Sequence, residues 1–450
     1  MSGQSMRRSV AITGVGMVTP LGLTAPESWA TLCEGRSGVG AITLFDASGF
    51  RTRIAAEVRG FDSSARLAGC RHVGEVPRAV GFCLAAAREA VADAGLDIGA
   101  DPESVGVSIG SAAHLPTPEE LLAYAARCNG HGYDFTTHGL HGLRSEWYYQ
   151  RLFQTASAFV AINVGALGPN YVSAAACASG AQAIGLGMRA IRRGEATAMV
   201  CGGCDSVITP LMLSGLCILK SLSRRNHDPA GASRPFNRGR DGIVLGEGAG
   251  VMVLEEWEHA RRRGARIYAQ LAGYGTSANA YRVTDVPRYG DGGVLCMQRA
   301  LVDAGVLPER VDLISAHGTS TPQNDRAETA AIKTVFGPHA RRLLVTANKS
   351  MLGDTVGASG AVELIATAFA VRDGIVPPTI NYESPDPECD LDYVANRARR
   401  VPLKVAVKNA FGFGGINTSL VVMRARSGTR AAWDARREPA GATERPCAAL

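Results

Sequence analysis

The sequence predicts a layered α/β protein built from a duplicated unit. Buried strand patterns alternate with helical patterns, which favours sheets covered by helices. The segments 8–22 and 266–280 open alike, each as a short β-rich run that breaks into glycine turns. Each is followed by a helical pattern, over 77–96 and 292–306, that ends in DAGL or DAGV before another strand pattern. This similarity indicates an internal duplication, with the seam near residue 265.

The chain length is consistent with two core-forming units. At 450 residues the chain exceeds the size at which one hydrophobic core usually stops growing. We predict an N-terminal half over 1–265 that carries a nucleophile and a C-terminal half over 266–425 that carries proton-handling and cationic groups. From residue 426 the sequence is polar and broken by prolines, so 426–450 is predicted to be a disordered tail.

Composition and charge argue against several functional classes. The sequence is 46% hydrophobic and 20% charged, which is typical of a globular protein. The formal net charge of +6 comes from dispersed arginines without a basic stripe interleaved with aromatics, so we expect no nucleic-acid binding. No apolar run reaches the roughly 18 residues of a membrane span, and no secretion signal is visible. We therefore expect a cytoplasmic protein that does not bind membranes.

The cysteines and one glycine motif give no sign of a cofactor. An odd count of 11 cysteines without a regular framework indicates reduced thiols. Cys201 and Cys204 form a C-x-x-C without a second ligand pair, so we interpret them as small residues at the end of a buried strand and predict no metal site. The motif GVGMVT has Thr19 where a dinucleotide fingerprint needs its third glycine, which makes a nucleotide-binding fold a weak alternative.

The strongest local signal is Cys177, within GPNYVSAAACASGAQAIGLGMRAIRRG over 168–194. A strand ends in small residues, and the cysteine lies at the turn into a helix that Gly194 closes. The positive end of the helix dipole would lower the pKa of the thiol and favour the nucleophilic thiolate. Taken alone, a buried cysteine is more often structural than catalytic, so the interpretation depends on the motifs that follow.

Three further motifs supply the other groups that acyl transfer requires. His317 follows a strand in SAHGTSTPQNDRAE, and Lys349 lies in NKSMLGDTVGASGAVE ahead of a helix. The glycines of KNAFGFGGINTSLVV, residues 408–422, allow unusual backbone angles and expose N–H groups, as an oxyanion hole needs. Together these segments provide a nucleophile, a proton-handling group, a cation and backbone donors.

At these motifs the sequence resembles the β-ketoacyl-acyl-carrier-protein synthases of the thiolase superfamily. These are the chain-elongating condensing enzymes of type II fatty acid and polyketide synthesis. The resemblance extends from about residue 8 to 424 and includes AITGVGMVTPLG, AAACASGAQAIG, SRPFNRGRDGIVLGEGAGVMVLEE, KSMLGD and NAFGFGG. It implies a thiolase-like duplicated αβαβα layered fold and a homodimer. It also implies an acyl substrate carried as a phosphopantetheine thioester of an acyl carrier protein, with no cofactor bound by the enzyme.

The resemblance also implies roles for individual residues. Cys177 looks like the acyl-accepting nucleophile, and its N–H and that of Phe413 would form the oxyanion hole, with Phe413 also gating the acyl pocket. His317 matches the first family histidine, and Lys349 matches the lysine that organises the site electrostatically. The remaining motif residues take supporting or substrate-binding roles: Glu363 as the helix-borne partner of the lysine, Asp325 and Glu328 as supports of the histidine loop, and Thr319 and Thr321 lining the pantetheine channel.

One residue departs from the family pattern, because the second family histidine falls at Asp354. In the ordinary mechanism both histidines donate hydrogen bonds to the thioester oxygen of a malonyl unit and stabilise the enolate left by decarboxylation. An ionised carboxylate cannot donate, and at about 4 Å it would repel the malonate charge by several kcal/mol. A carboxylate is, however, a reasonable general base for removing a proton next to a carbonyl.

Asp354 leaves three functions open. The first is a ketosynthase-like acyltransferase of specialised, antibiotic-type metabolism. It would load an acyl thioester on Cys177, perform a non-decarboxylative intramolecular aldol cyclisation and release a lactone. This looks like the stand-alone bicyclising ketosynthases of salinosporamide-type γ-lactam-β-lactone pathways. The second is an ordinary decarboxylative synthase that tolerates Asp354, and the third is an acyl-holding or structural partner subunit without turnover.

A second departure is the segment 128–154, which in the resembled enzymes forms part of the dimer interface and the acyl pocket wall. It is crowded with imidazole and aromatic side chains: His131, His138, His141, Trp147, Tyr148 and Tyr149. A pocket reshaped for a bulky, non-linear acyl group would explain this composition, and so would a structural dimer contact. Arg282 also stands where such enzymes often have a further histidine.

Overall fold

The computed structural model describes residues 8–72, 76–112, 116, 118–128, 130, 132–138 and 150–425. Its strands are β1 Val10–Val18, β2 Gly40–Ala41, β3 Ile54–Ala55, β4 Val105–Gly110, β5 Asn170–Ser173, β6 Ala198–Ser206, β7 Glu247–Glu256, β8 Ala269–Ala278, β9 Leu313–Ser315, β10 Leu344–Thr346, β11 Ile375–Val376, β12 Arg399–Arg400, β13 Val405–Gly412 and β14 Ile416–Arg424. Its helices are α1 Ala25–Glu34, α2 Ser63–Arg66, α3 Arg78–Ala94, α4 Pro118–Ala125, α5 Phe135–His138, α6 Thr155–Val164, α7 Ser179–Arg193, α8 Pro210–Ile218, α9 Trp257–Arg262, α10 Asp291–Ala304, α11 Pro322–Phe336, α12 Lys349–Leu352, α13 Ser359–Asp373.

The main sheet consists of two halves with the same internal arrangement. Its strand order is β10-β9-β13-β14-β8-β1-β7-β6-β4-β5. In one half β5, β4 and β6 are parallel and are followed by antiparallel β7 and β1. In the other half β10, β9 and β13 are parallel and are followed by antiparallel β14 and β8. The antiparallel pairing of β1 with β8 joins the halves.

Two helices lie between the half-sheets and others cover the outer faces. Helix α13 contacts strands of both halves and packs against α7, while α3 with α6 and α10 with α11 pack on the outer sides. The residues of α13 are buried continuously from Ser359 to Val371, which is the pattern of a helix enclosed on every side. The predicted αβαβα layered fold is thereby confirmed. The division of the chain at residue 265 stays a prediction.

Glycines within β1 and β8 allow a helix to pack directly on each strand. A Cβ at Gly14 or Gly16 would lie 2.1 Å from a carbonyl oxygen of α3. A Cβ at Gly273 or Gly275 would lie 2.2 or 2.1 Å from a carbonyl oxygen of α10. The prediction that these β-runs break into glycine turns is wrong, because each strand continues through its glycines. The repeated contact supports the duplicated architecture.

The remaining sequence predictions on the fold have mixed outcomes. Cys201 and Cys204 are buried free thiols within β6, as predicted for small residues of a buried strand. No helix in the described part of the chain is long and apolar enough to cross a membrane. Several predictions concern positions outside the described residues: His131, His141, Trp147, Tyr148, Tyr149, the side chain of His138 and the tail over 426–450.

We predict that Gly275→Val destabilises the fold strongly, because the new side chain would meet the backbone of α10 at 2.1 Å. Overpacking of this kind costs about 3 kcal/mol or more of unfolding free energy when backbone must move. Urea unfolding followed by circular dichroism measures the change. Gly49→Val is the matched control, since a Cβ there meets nothing within 4 Å. Equal unfolding midpoints for the two variants would contradict the packing argument.

Candidate active site

Cys177 lies in a tight turn that leads into α7. The turn is the 3-10 segment Ala176–Ala178, and Ala176 has a left-handed φ of 47°. The hydroxyl of Ser179 accepts the Ala175 N–H at 2.8 Å and donates to the Ala176 carbonyl at 2.7 Å, which fixes the turn. The Cys177 side chain is only 8% exposed and lines a cavity of about 300 Å³. The cysteine is therefore held rigidly at the base of a cleft.

The surroundings of Cys177 raise the pKa of its thiol well above the usual value. Burial is the main cause, and the negative charge of Asp354 adds to it, while Lys349 opposes both. The prediction that a helix N-terminus lowers this pKa is wrong, because desolvation and the Asp354 carboxylate outweigh the positive charge of Lys349. The thiol form consequently dominates at neutral pH, and loading of an acyl group has to include loss of the thiol proton.

The glycine-rich hairpin between β13 and β14 packs against the nucleophile turn. A Cβ at Gly412 would lie 2.2 Å from the Ala175 carbonyl oxygen, so this close approach requires glycine. Gly414 has a left-handed φ of 88°, and its N–H donates to the Val283 carbonyl at 2.6 Å. Phe413, between these glycines, lines the same cavity as the cysteine. The hairpin thus brings a loop of backbone donors to the nucleophile, although the oxyanion-hole assignment itself stays a prediction.

His317 is held at the cavity by a carboxylate of α11. The backbone N–H groups of His317 and Gly318 donate to Glu328 at 2.8 and 2.9 Å. The imidazole is 3% exposed and packs edge-on against Phe411, with ring centroids 5.6 Å apart. Glu328 therefore contacts the histidine loop directly, as the sequence motif suggested.

Asp325, one helical turn before Glu328, holds a different segment. Its Oδ2 accepts the Phe236 N–H at 2.8 Å and lies 3.3 Å from Arg240 Nε. Burial raises the pKa of Asp325 to about 6, against the effect of Arg240. A Cβ at Gly318 would lie 3.4 Å from the Phe236 ring. Asp325 thus reaches the histidine loop through Phe236 and does not bond it directly.

Two buried lysines share one carboxylate beside His317. Lys349 Nζ lies 2.7 Å from Glu363 Oε1, and Lys408 Nζ lies 2.6 Å from Glu363 Oε2. Burial would lower the pKa of Lys349, but the carboxylates of Glu363 and Asp354 outweigh burial and raise it. For Lys408 burial prevails and lowers the pKa. The Lys349–Glu363 pair was expected from the sequence, whereas the role of Lys408 was missed.

Burial, reinforced by the two lysines, determines the protonation state of His317. Lys349 Nζ lies 3.3 Å from His317 Nδ1. Burial lowers the pKa of His317 well below its usual value, and the charges of Lys349 and Lys408 lower it further. The imidazole is therefore neutral. Because an ammonium can only donate, it occupies the Nδ1 lone pair and leaves the ring proton on Nε2.

Asp354 has one bonded carboxylate oxygen and one without a partner. Its Oδ1 accepts the Val356 N–H at 3.0 Å and the Ser359 hydroxyl at 2.9 Å. Its Oδ2 is buried and has no hydrogen-bond partner among the described residues. One carboxylate oxygen of Asp354, the Sγ of Cys177 and one ring nitrogen of His317 all lie within 4.8 Å of one another. The structure thus brings the predicted nucleophile, histidine and carboxylate together.

These three side chains have the donor types of a transition-metal site, yet their surroundings oppose a cation. The Lys349 ammonium occupies His317 Nδ1 and leaves Nε2 protonated, so the imidazole offers no free lone pair toward the cavity. A neutral imidazole in this tautomer can instead donate a hydrogen bond from Nε2–H.

Asp205 joins the two halves of the site and was also missed. Its carboxylate accepts the Ser111 hydroxyl at 2.8 Å and the Ala112 and Gly357 N–H groups at 3.0 and 2.6 Å. Gly357 belongs to the loop that follows Asp354, so this buried carboxylate fixes that loop against β4 and β6. The available signal in the sequence was an acidic residue directly after the C-x-x-C of a buried strand.

The cavity mouth is lined by hydroxyls, an aromatic ring and an ion pair. Thr319 and Thr321 both face the cavity, with their hydroxyl oxygens 2.9 Å apart. Phe413 is 37% exposed, and Arg282 Nη1 lies 3.6 Å from Asp285 Oδ2. All five residues line the cavity that ends at the cysteine. The mouth therefore combines hydrogen-bonding groups with an apolar side chain.

Comparison with known proteins identifies the family. The family model "Beta-ketoacyl synthase, N-terminal domain" matches residues 7–260, and "Beta-ketoacyl synthase, C-terminal domain" matches 268–383. A 3-oxoacyl-[acyl-carrier-protein] synthase 2 of Coxiella burnetii is 43% identical over 93% of this chain and 99% of its own. A putative polyketide beta-ketoacyl synthase 1 of Streptomyces cyaneus is 41% identical over 93% and 98%.

A solved structure agrees with these relatives. A type II polyketide ketosynthase bound to the hexaketide, in complex with its acyl carrier protein, superposes with a TM-score of 0.83 at 35% identity. The match covers 94% of this chain and 100% of that one. Among the functions left open by the sequence, these relatives support the ordinary synthase more directly than the cyclising enzyme. The chain belongs to the β-ketoacyl synthase family, the acyl-transferring condensing enzymes of type II fatty acid and polyketide synthesis, which use no cofactor of their own.

Proposed function

We propose that this chain takes an acyl group from an acyl carrier protein onto Cys177 and then forms a carbon–carbon bond without decarboxylation. The observation that carries the second half of the proposal is the buried Asp354 Oδ2, which lies beside Cys177 and His317 and has no hydrogen-bond partner within the described part of the chain. The family membership of the chain supports the first half.

In the loading step, Cys177 Sγ bonds the thioester carbon and the pantetheine sulfur leaves. The proton lost by Cys177 goes to the departing thiolate, so charge is conserved. The oxyanion that forms in between would accept hydrogen bonds from the N–H groups of Cys177 and Phe413. Thr319 and Thr321, whose hydroxyls line the cavity, would bind the pantetheine arm.

In the second step, Asp354 acts as a general base. Its Oδ2 removes a proton next to a carbonyl of the bound acyl chain, and the Nε2–H of neutral His317 donates to the enolate oxygen. The enolate carbon bonds an internal carbonyl carbon, which becomes an alkoxide. That alkoxide attacks the thioester at Cys177, so the carbon–sulfur bond breaks and a lactone leaves. The proton held by Asp354 passes to the released thiolate, which restores the enzyme.

An ordinary decarboxylative synthase is the second candidate, and the names of the relatives favour it. The Coxiella burnetii relative is a 3-oxoacyl-[acyl-carrier-protein] synthase at 43% identity. In such a reaction Asp354 would have to be protonated, so that Oδ2 donates to the malonyl thioester oxygen. An acyl-holding subunit without turnover is the third candidate and would acylate Cys177 without further product.

We also propose that the protein is a homodimer formed through β5. Among the described residues β5 pairs only with β4, which makes it the edge of the sheet. Exposed apolar side chains lie on β5, on helix α6 that contacts it, and in the loop between them: Val172, Ile162 and Leu167. Pairing of two such edges would cover these side chains and satisfy the open strand.

The identity of the second step is tested by turnover of carrier-bound substrates. Because only a base at position 354 supports the cyclisation, Asp354→Asn should retain acylation of Cys177 and lose cyclised product by at least about 100-fold. Asp354→His should not restore it. Intact-protein and product mass spectrometry measure both events, with Cys177→Ala as the unacylated control. Release of carbon dioxide from malonyl-carrier protein by the native enzyme would support the second candidate and contradict the cyclisation.

Alkylation of Cys177 by iodoacetamide should rise steeply with pH. Only the thiolate reacts, and burial together with Asp354 raises the pKa of this thiol, so little thiolate exists at neutral pH. Removing the negative charge in Asp354→Asn should move the whole profile to lower pH. Peptide mass spectrometry of residue 177 gives the rate at each pH. An unshifted profile, or one moved to higher pH, would show that Asp354 does not act on the thiol.

The assembly is tested by Val172→Lys. A charge on the strand edge should prevent pairing, because a buried lysine at the interface would lack a partner. Light scattering after size-exclusion chromatography is expected to give a monomer. Val302→Lys, on the exposed face of α10, is the matched control and should leave the dimer intact. A monomeric native protein would refute the homodimer.

A further inference from the structure

We propose that Lys408 is a positioning residue whose buried ammonium serves as the counter-charge for Asp354, acting through Glu363 and Lys349. This inference rests on the proposed use of Asp354 as a carboxylate. It assigns a function to a lysine within the buried strand VAVKNAF, which none of the steps above employs.

The geometry around Lys408 forms a buried chain of charges. Lys408 and Lys349 each bind one oxygen of Glu363, at 2.6 and 2.7 Å, and their side chains are 0% and 1% exposed. Lys408 also donates to the carbonyl oxygens of Ala316, at 3.3 Å, and Asn409. Its position on β13 thus places a second ammonium group at Glu363 Oε2, the oxygen that Lys349 does not bind.

Charge balance explains why a second lysine is needed. Lys349 with Glu363 alone sums to zero, so an ionised Asp354 would leave one uncompensated buried negative charge. Such a charge is costly unless it is paired. Adding Lys408 returns the sum of these four groups to zero. Glu363 is shared between two ammonium groups and therefore neutralises the charge of Lys349 only in part. Lys349 can then also attract Asp354, and these two residues do interact.

Two other buried carboxylates of the site, Glu328 and Asp205, accept several hydrogen bonds. Glu328 accepts the N–H groups of His317 and Gly318 and the side-chain amide of Asn409. Asp205 accepts two backbone N–H groups and a hydroxyl. Asp354 Oδ2 accepts no bond among the described residues. Glu328 also interacts with the charge of Lys408, but it has three hydrogen-bond donors, whereas Asp354 Oδ2 has none among the described residues and therefore needs a counter-charge more.

A double-mutant cycle in unfolding tests this assignment without substrate. Lys408→Met keeps the side-chain length and removes the charge, which leaves the site at net −1. Adding Asp354→Asn returns the net charge to zero. The unfolding equilibrium constant should therefore rise much less for Lys408→Met in the Asp354→Asn background, with a coupling on the order of tenfold. Equal costs in both backgrounds would mean that Lys408 only fills space, and would overturn the proposal.

The pH profile of turnover gives a second readout that a packing role would not move. In Lys408→Met the acid limb should shift to higher pH, because burial and then the charges of Lys349 and Lys408 lower the pKa of His317, and the contribution of Lys408 is lost in this variant. The substitution leaves unchanged the other charged and titratable groups around Lys408 and Asp354: Lys349, Glu363, Glu328, His317, Cys177 and Asp205. Lys404→Met, an exposed lysine just before β13, is the matched control and should shift nothing.

The two readouts separate this inference from the proposed reaction. If the unfolding cycle shows coupling but no cyclised product forms, the counter-charge stands and the reaction in "Proposed function" fails. If product forms but the cycle shows no coupling and the acid limb is unmoved, the assignment of Lys408 fails. A shifted acid limb without coupling would also overturn it, since compensation of a buried charge has to appear in stability.

Discussion

The buried ion triad of Lys349, Glu363 and Lys408 is the interaction on which the rest of the site depends. It fixes Lys349 Nζ beside His317 Nδ1 and so determines which ring nitrogen carries the proton. Its positive charges, together with burial, keep His317 neutral. A neutral imidazole with Nε2–H toward the cavity can donate a hydrogen bond to a developing enolate or oxyanion. The triad therefore converts a buried histidine into a fixed donor.

The duplicated architecture explains why the reacting groups meet. Helices α7 and α13 lie side by side between the half-sheets, and each begins after a 3-10 turn: Ala176–Ala178 and Val356–Ala358. The first residue of each turn has nearly the same left-handed φ, 47° and 46°. One turn carries Cys177, and the other follows Asp354 and donates to its Oδ1. The two half-sheets thus place corresponding turns at the same cavity.

Substitution of a carboxylate for the second family histidine changes what the cavity can do. The carboxylate raises the pKa of the Cys177 thiol, and burial acts in the same direction. Its Oδ2 accepts no hydrogen bond from the residues that the structure describes, at the position where the family resemblance places a hydrogen-bond donor. A base in that place suits proton removal within an acyl chain already bound to the enzyme. The overall framework of the family is retained, so the proposed difference in chemistry would rest on few atoms.

The sequence by itself determined the layered α/β class, the helix that follows Cys177 and the motif residues that now line one cavity. The class and the helix are readable because periodicity is a local property, whereas the motif residues were assigned through the resemblance to a known family. Only the tertiary structure decided that the thiol pKa is raised, that glycines continue β1 and β8, and that Lys408 shares Glu363. Desolvation, close packing and Coulomb interactions depend on distances between segments that are far apart in the chain. The interactions of a charged strand residue such as Lys408 can be identified only when the positions of its partners on other elements are known.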